Sequence, residues 1–152
     1  MLRNIPSIIS PALLKILDEM GHSDRILITD ANYPAESMGM NTNIVRCDGH
    51  GVPELLEAIL KLIPLDASVK CPVSLMAVQP QDRGSVETPI WASYKEIISK
   101  YDERGENAFQ EVDRFEFYEQ SKTAYCIVYT GENKLYANIM LQKGVLKQEE
   151  VI

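Results

Sequence analysis

At 152 residues, with 45% apolar and 24% charged positions, the chain has the length and composition of one folded domain over residues 1–152, which excludes wholesale disorder. Its formal net charge of −7 leaves no basic face for phosphates and argues against a nucleic-acid or anionic-membrane partner. No apolar run reaches a membrane span, the N-terminus lacks a signal peptide's layout, and the cysteines (Cys47, Cys71, Cys126) are odd in number and set in apolar segments, so a cytoplasmic protein with reduced core thiols is expected.

Pro11–Met20 carries Leu13, Leu14, Ile16, Leu17 and Met20 at helical spacing. Ser10 is the expected N-cap before a first-turn proline, and Gly21 the expected left-handed C-cap. His22 then stands at the negative end of the helix dipole, where a surface cap and a proton-transfer group are equally natural readings. Arg25–Thr29 reads as a buried parallel strand. Asp30-Ala-Asn-Tyr-Pro34 follows as a loop beyond a strand's carboxyl end, the place where open α/β folds bind ligands; Asp30 also suits a plain turn. At about 3.3 Å per residue, the strand between them means that His22 and Asp30 need not share a pocket within one copy.

Ala35–Asn43 reads as irregular chain, Ile44–Cys47 as a second strand and Asp48-Gly-His-Gly51 as a turn. Val52–Ile63 is a second helix, opened by Pro53 and stopped by Pro64. Pro72–Val78 is a third strand, Gln79–Thr88 a polar loop, and Ile90–Tyr101 a helix with an aromatic core stripe. Asp102–Asn107 is a solvated charged segment. Glu111–Asp113 reads as a short strand and Arg114–Thr123 as a short helix. Ala124–Tyr129 and Leu135–Leu141 are strand-like runs joined by Thr130–Lys134 as a hairpin; a frayed tail follows from Lys147. The alternation predicts an α/β fold: three αβα layers around a mixed, mostly parallel sheet, closed by a C-terminal hairpin.

Glycine-rich phosphate loops, spaced metal-ligand pairs and nucleophile motifs are missing from the sequence, so no metal is expected. What remains at element ends is His22, Asp30, Asn32, Tyr33, Arg114, Tyr118, Tyr136 and Asn138. Carboxylate, guanidinium, phenol and amide together suit a polyhydroxylated ligand, and a histidine suits proton transfer near neutral pH. These residue types alone do not separate an enzyme from a sugar-binding module.

Four segments in order carry a resemblance: Ser10-Pro-x-Leu-Leu-x-x-Leu-x-x-Met-Gly-His22, Asp30-Ala-Asn-Tyr-Pro-Ala35, Asp113-Arg-Phe-Glu-Phe-Tyr118, and Tyr136-Ala-Asn-Ile-x-Leu-x-Lys-Gly-Val145. With them the chain resembles the ribose pyranase and fucose mutarotase family. Arg-Phe-Glu-Phe-Tyr and Gly131-Glu132 resemble the fucose branch. The resemblance implies a cofactor-free mutarotase interconverting α and β anomers of a free monosaccharide, L-fucose first. Ribose pyranase activity and a non-catalytic sugar-binding module are the alternatives. It implies His22 as proton donor and Asp30, Arg114, Tyr118, Tyr136, Ala137 and Asn138 as substrate-binding positions. It also implies a ring-shaped homo-oligomer, a decamer, with sites at subunit boundaries, so that His22 and Asp30 meet across an interface. Asn32 stands where many bacterial relatives carry His, and Tyr33 replaces a more usual Phe, adding a hydroxyl that faces either ligand or water.

Overall fold

The computed structural model describes residues 1–152. Helix α1 spans Pro11–Glu19, and Ser10 Oγ caps it by accepting from the Leu13 N–H at 3.1 Å. Its end differs from expectation. The chain leaves through Met20 in an extended conformation, and Gly21 is not left-handed. Asp24 instead accepts from the Gly21 N–H at 2.7 Å, and Ser23 takes the positive φ of 73°.

The strands are β1 (Arg25–Thr29), β2 (Asn43–Cys47), β3 (Val73–Met76), β4 (Phe109–Val112), β5 (Cys126–Thr130) and β6 (Ile139–Gln142). The remaining helices are α2 (Ala35–Met38), α3 (Val52–Leu60), α4 (Ile90–Tyr101) and α5 (Arg114–Lys122). The four-residue α2 replaces the irregular chain expected there: the Met38 and Gly39 N–H groups close onto Pro34 and Ala35 carbonyls.

The strands form one sheet in the order β2-β5-β1-β6-β3-β4, with β6 antiparallel to both neighbours and every other pairing parallel. The mixed, mostly parallel α/β architecture is as expected, but the C-terminal hairpin is not formed. β1 lies between β5 and β6, so that buried strand satisfies both of its edges. The connection from Gly131 to Asn138 crosses over the end of β1, where the Ala31 N–H donates to the Glu132 carbonyl at 2.8 Å. Gly131 is needed at this crossing, because a Cβ there would lie 2.1 Å from the Asp48 carbonyl oxygen.

Alternation along the strands splits the core. Ile26, Ile28, Val128, Ile139 and Leu141 face α1, α3 and α4 in the larger cluster. Leu27, Ile127, Met140 and Met76 face α2 and α5 in a smaller one with Tyr33 and Phe117. Cys47 and Cys126 are buried as expected, and burial pushes the Cys126 thiol up to about 12. Cys71 is a correction: it precedes β3 and is half-exposed, with no strand partner to bury it.

Candidate functional site

The site lies on the α5 side of the sheet, beyond the carboxyl ends of β1 and β3 and the start of β6. A cavity of about 300 Å³ is lined there by Asp30, Asn32, Tyr33, Arg114, Tyr118, Tyr136 and Asn138, with Met76, Val86 and Leu135 as apolar wall. Strand ends supply Asp30 and Asn138. The Asp30 N–H donates to Asn138 Oδ1 at 2.9 Å, which fixes the amide and leaves its NH₂ for the cavity. Asp30 is only 4% exposed. Burial raises its carboxyl above the ordinary range, with the Glu132 charge adding to this, while the Asn32, Ala137 and Tyr33 N–H groups pull the other way.

Helix α5 is N-capped by Asp113, which accepts from the Phe115 N–H at 3.1 Å. Arg114 and Tyr118, one turn apart, therefore share a face, and Arg114 Nε donates to the Tyr118 hydroxyl at 3.2 Å. Tyr118 in turn meets the Tyr33 ring edge-on at 5.5 Å. The Tyr33 hydroxyl faces neither ligand nor water. It is buried without a hydrogen-bond partner. Tyr136 is held at a φ of 54°, a backbone strain of about 1–3 kcal/mol for a non-glycine residue. Trp91 Nε1–H, donating to the Tyr136 carbonyl at 2.8 Å, and the Tyr94 hydroxyl, donating to the Ala137 carbonyl at 2.6 Å, hold that conformation. Ala137 is fully buried and does not line the cavity; its carbonyl accepts from Tyr94 and its N–H bonds the Asp30 carboxylate.

The structure thus brings together Asp30, Arg114, Tyr118, Tyr136 and Asn138. It does not bring His22 among them. His22 stands at the opposite end of β1, about 15–20 Å away by strand rise, and is 48% exposed. There it meets a residue that the sequence did not single out, Asp66, which is 1% exposed. His22 Nε2 lies 3.1 Å from Asp66 Oδ1. A carboxylate only accepts, so Nε2 carries the donated hydrogen, and no group of the chain bonds Nδ1. Asp66 also accepts from the Ser68 hydroxyl at 2.6 Å, the Ser68 N–H at 2.8 Å and Gln142 Nε2 at 2.9 Å. Burial alone would raise its carboxyl; the bonds from Ser68, Gln142 and His22 outweigh burial and hold it well below the usual carboxylate range. The only signal in the sequence was Asp66-Ala-Ser68, an Asp that turns back on a neighbouring N–H.

A stability prediction follows from the sign of that shift. With the folded-state pKa depressed, Asp66 stabilises the fold fully above the ordinary carboxylate value of about 3.9, and this is lost as pH falls through its lower folded value. Denaturant melts at a series of acid pH values should show Asp66→Asn less stable at neutral pH, with the gap to wild type closing toward the acid end. A gap constant with pH would contradict the ionised, bonded state of Asp66.

No helix is long and apolar enough to cross a membrane. Residues 3–146 match the model of the RbsD / FucU transport protein family. A human protein named fucose mutarotase is 43% identical over 147 residues, covering 95% of this chain and 94% of its own length. Among solved structures, FucU from Bifidobacterium longum superposes with a TM-score of 0.92 at 51% identity, over 95% of this chain and 100% of that one. The fucose mutarotase from Streptococcus pneumoniae, solved in complex with L-fucose, gives 0.88 at 46% identity, over 96% and 100%.

Proposed function

The chain belongs to the RbsD / FucU transport protein family, and from that premise we propose that it is a sugar mutarotase, an isomerase interconverting the α and β anomers of L-fucose. The observation that carries this reading is the convergence of Asp30, Arg114, Tyr118, Tyr136 and Asn138 on one small open cavity. Likeness to a fucose mutarotase solved with L-fucose supports the choice of sugar. So does the wall of Met76, Val86 and Leu135, an apolar surface suited to the methyl group of a 6-deoxysugar.

The reaction is redox-neutral and needs no cofactor. His22, as imidazolium, gives a proton to the ring oxygen as the bond from that oxygen to C1 breaks. The anomeric hydroxyl loses its proton to a base, and Asp30, with its raised carboxyl pKa, is the acceptor on the cavity side. The free aldehyde turns about C1–C2, the former ring hydroxyl attacks its other face as its proton returns to His22, and Asp30 gives its proton back to the aldehyde oxygen, which becomes the new anomeric hydroxyl. Asp66 orients His22 through Nε2, leaving Nδ1 as the acting nitrogen. Arg114 and the Asn138 amide donate to the sugar hydroxyls, with Tyr118 and Tyr136 beside them.

The separation of His22 from the cavity supports a site shared by two copies. In our reading the chain assembles into a closed homo-oligomeric ring, a decamer, that seats the His22–Asp66 pair of one copy against the cavity of the next. Phe115 (67% exposed) and Leu135 (53%), beside and within the cavity, are apolar surface that such a neighbour would cover. Its free thiols fit a cytoplasmic setting.

Saturation-transfer NMR on L-fucose at anomeric equilibrium tests the function. Magnetisation should pass between α and β signals far faster with the protein than in buffer. Saturable binding without any acceleration, on L-fucose or D-ribose, would replace the enzyme with a sugar-binding module.

A further inference from the structure

Gln79–Thr88, between β3 and α4, looked in the sequence like a plain polar loop. In the structure it is a self-supported arm. The Asp82 N–H donates to the Gln79 carbonyl at 2.9 Å, and the Val86 N–H and Ser85 hydroxyl donate to the Asp82 carbonyl at 2.9 and 3.0 Å. Within residues 79–87, the hydrogen bonds that leave the segment all end on one atom, the Tyr136 hydroxyl. That hydroxyl donates to Asp82 Oδ2 at 2.5 Å and accepts from the Gln79 N–H at 3.2 Å. Asp82 lines the cavity with Tyr136 and Arg114, is half-buried, and has no hydrogen bond within the chain on Oδ1.

We propose that Asp82 is a specificity-determining residue of this sugar site: one carboxylate oxygen fixes the Tyr136 phenol and with it the 79–88 arm, and the other accepts from a sugar hydroxyl. This role rests on the sugar-binding reading given above. The chemistry is directional. A carboxylate only accepts, so Asp82 selects a ligand presenting a hydroxyl donor to its free Oδ1, while Arg114 supplies donors to ligand acceptors. Because the Tyr136 proton is given to Asp82, the phenol offers the ligand a lone pair or its ring face rather than a donor. Burial and the Asp82 bond both raise the Tyr136 pKa, as expected for a phenol donating to an anion.

The test uses the full chain with Asp82→Asn, Asp82→Ala and Tyr136→Phe. Affinity for L-fucose is read by calorimetry, turnover by anomer exchange, and the phenol by ¹³Cζ-tyrosine NMR titration, the Tyr136 signal being assigned by its loss in Tyr136→Phe. Asp82→Ala should weaken L-fucose about 10- to 100-fold, the range for losing hydrogen bonds to a charged group, and raise KM far more than it lowers kcat. In Asp82→Asn the Tyr136 pKa should fall toward that of an ordinary phenol, a change that a merely structural role of the arm would not produce. Asp82→Ala combined with Tyr136→Phe should add little to either single change. An unchanged Tyr136 titration in Asp82→Asn, or an unchanged fucose affinity in Asp82→Ala, overturns the role. A wild-type protein that binds L-fucose without exchanging its anomers defeats the mutarotase function and leaves both readouts for Asp82 intact.

Discussion

Replacing His22 by alanine should slow anomer exchange on L-fucose by about 10²- to 10⁴-fold, the usual worth of one positioned acid–base group, and leave sugar affinity nearly as it was. Both halves follow from placement. His22 lies outside the cavity of its own copy, while the groups we assign to hydroxyl recognition line that cavity. Removing it takes away an interaction made in the transition state and little that is made in the ground state, so kcat and kcat/KM should fall together. Asp66→Asn should show a smaller loss of the same kind, because it disturbs the tautomer and angle of a ring that is still present. Exchange rates by NMR and affinity by calorimetry on the same samples decide the matter. An equal loss of both in His22→Ala would make His22 a binding residue instead.

Phe117→Ala should be the most damaging single change to the fold around the site. Phe117 is the largest fully buried side chain of the small cluster under α5. Truncating such a residue costs about 3–5 kcal/mol through lost burial and the cavity left behind. In a domain of this length that corresponds to a fall in Tm of roughly 10 °C. The same change removes the edge-on partner of Tyr33, whose ring is 6.3 Å away and which backs Tyr118. Fucose affinity should therefore drop even at temperatures where the variant is folded. Thermal melts with calorimetry below the transition check both, and a stable Phe117→Ala protein with normal affinity would show that α5 is not held by this cluster.

Much of the fold was legible because local chemistry decided it. Ser10-Pro11 opens α1, Arg25–Thr29 forms β1 at the expected residues, and the aromatic stripe of Ile90–Tyr101 forms α4. The missed hairpin shows the limit of chain proximity. β5 and β6 are joined by a short connection, yet both pair with β1, because a strand as apolar as Ile26–Ile28 needs a partner on each edge. Gly21 was misread because the Asp24 carboxylate, three residues on, provides the stop expected of a left-handed glycine.

The site was only half legible. Asp30 follows a strand end and Arg114 opens a helix, where a polar residue in an apolar setting stands out, while Tyr136 lies in the turn before β6. Asp66 was invisible because no periodicity ties position 66 to position 22; the two meet only through the turn before β1 and the chain after α3. Asp82 was hidden for the same reason, in a loop that read as solvated until Tyr136 was seen to hold it.

In our proposal one copy's His22 serves the next copy's cavity. Co-expression of two differently tagged variants, His22→Ala and Asp30→Ala, followed by purification through both tags, puts this to the test. Each variant alone should be nearly inactive. In the mixed assembly about a quarter of the boundaries pair an intact His22 with an intact cavity, so exchange on L-fucose should return to roughly that fraction of wild type. A mixed assembly as inactive as its parents would place His22 and Asp30 in one copy's site and contradict the shared one.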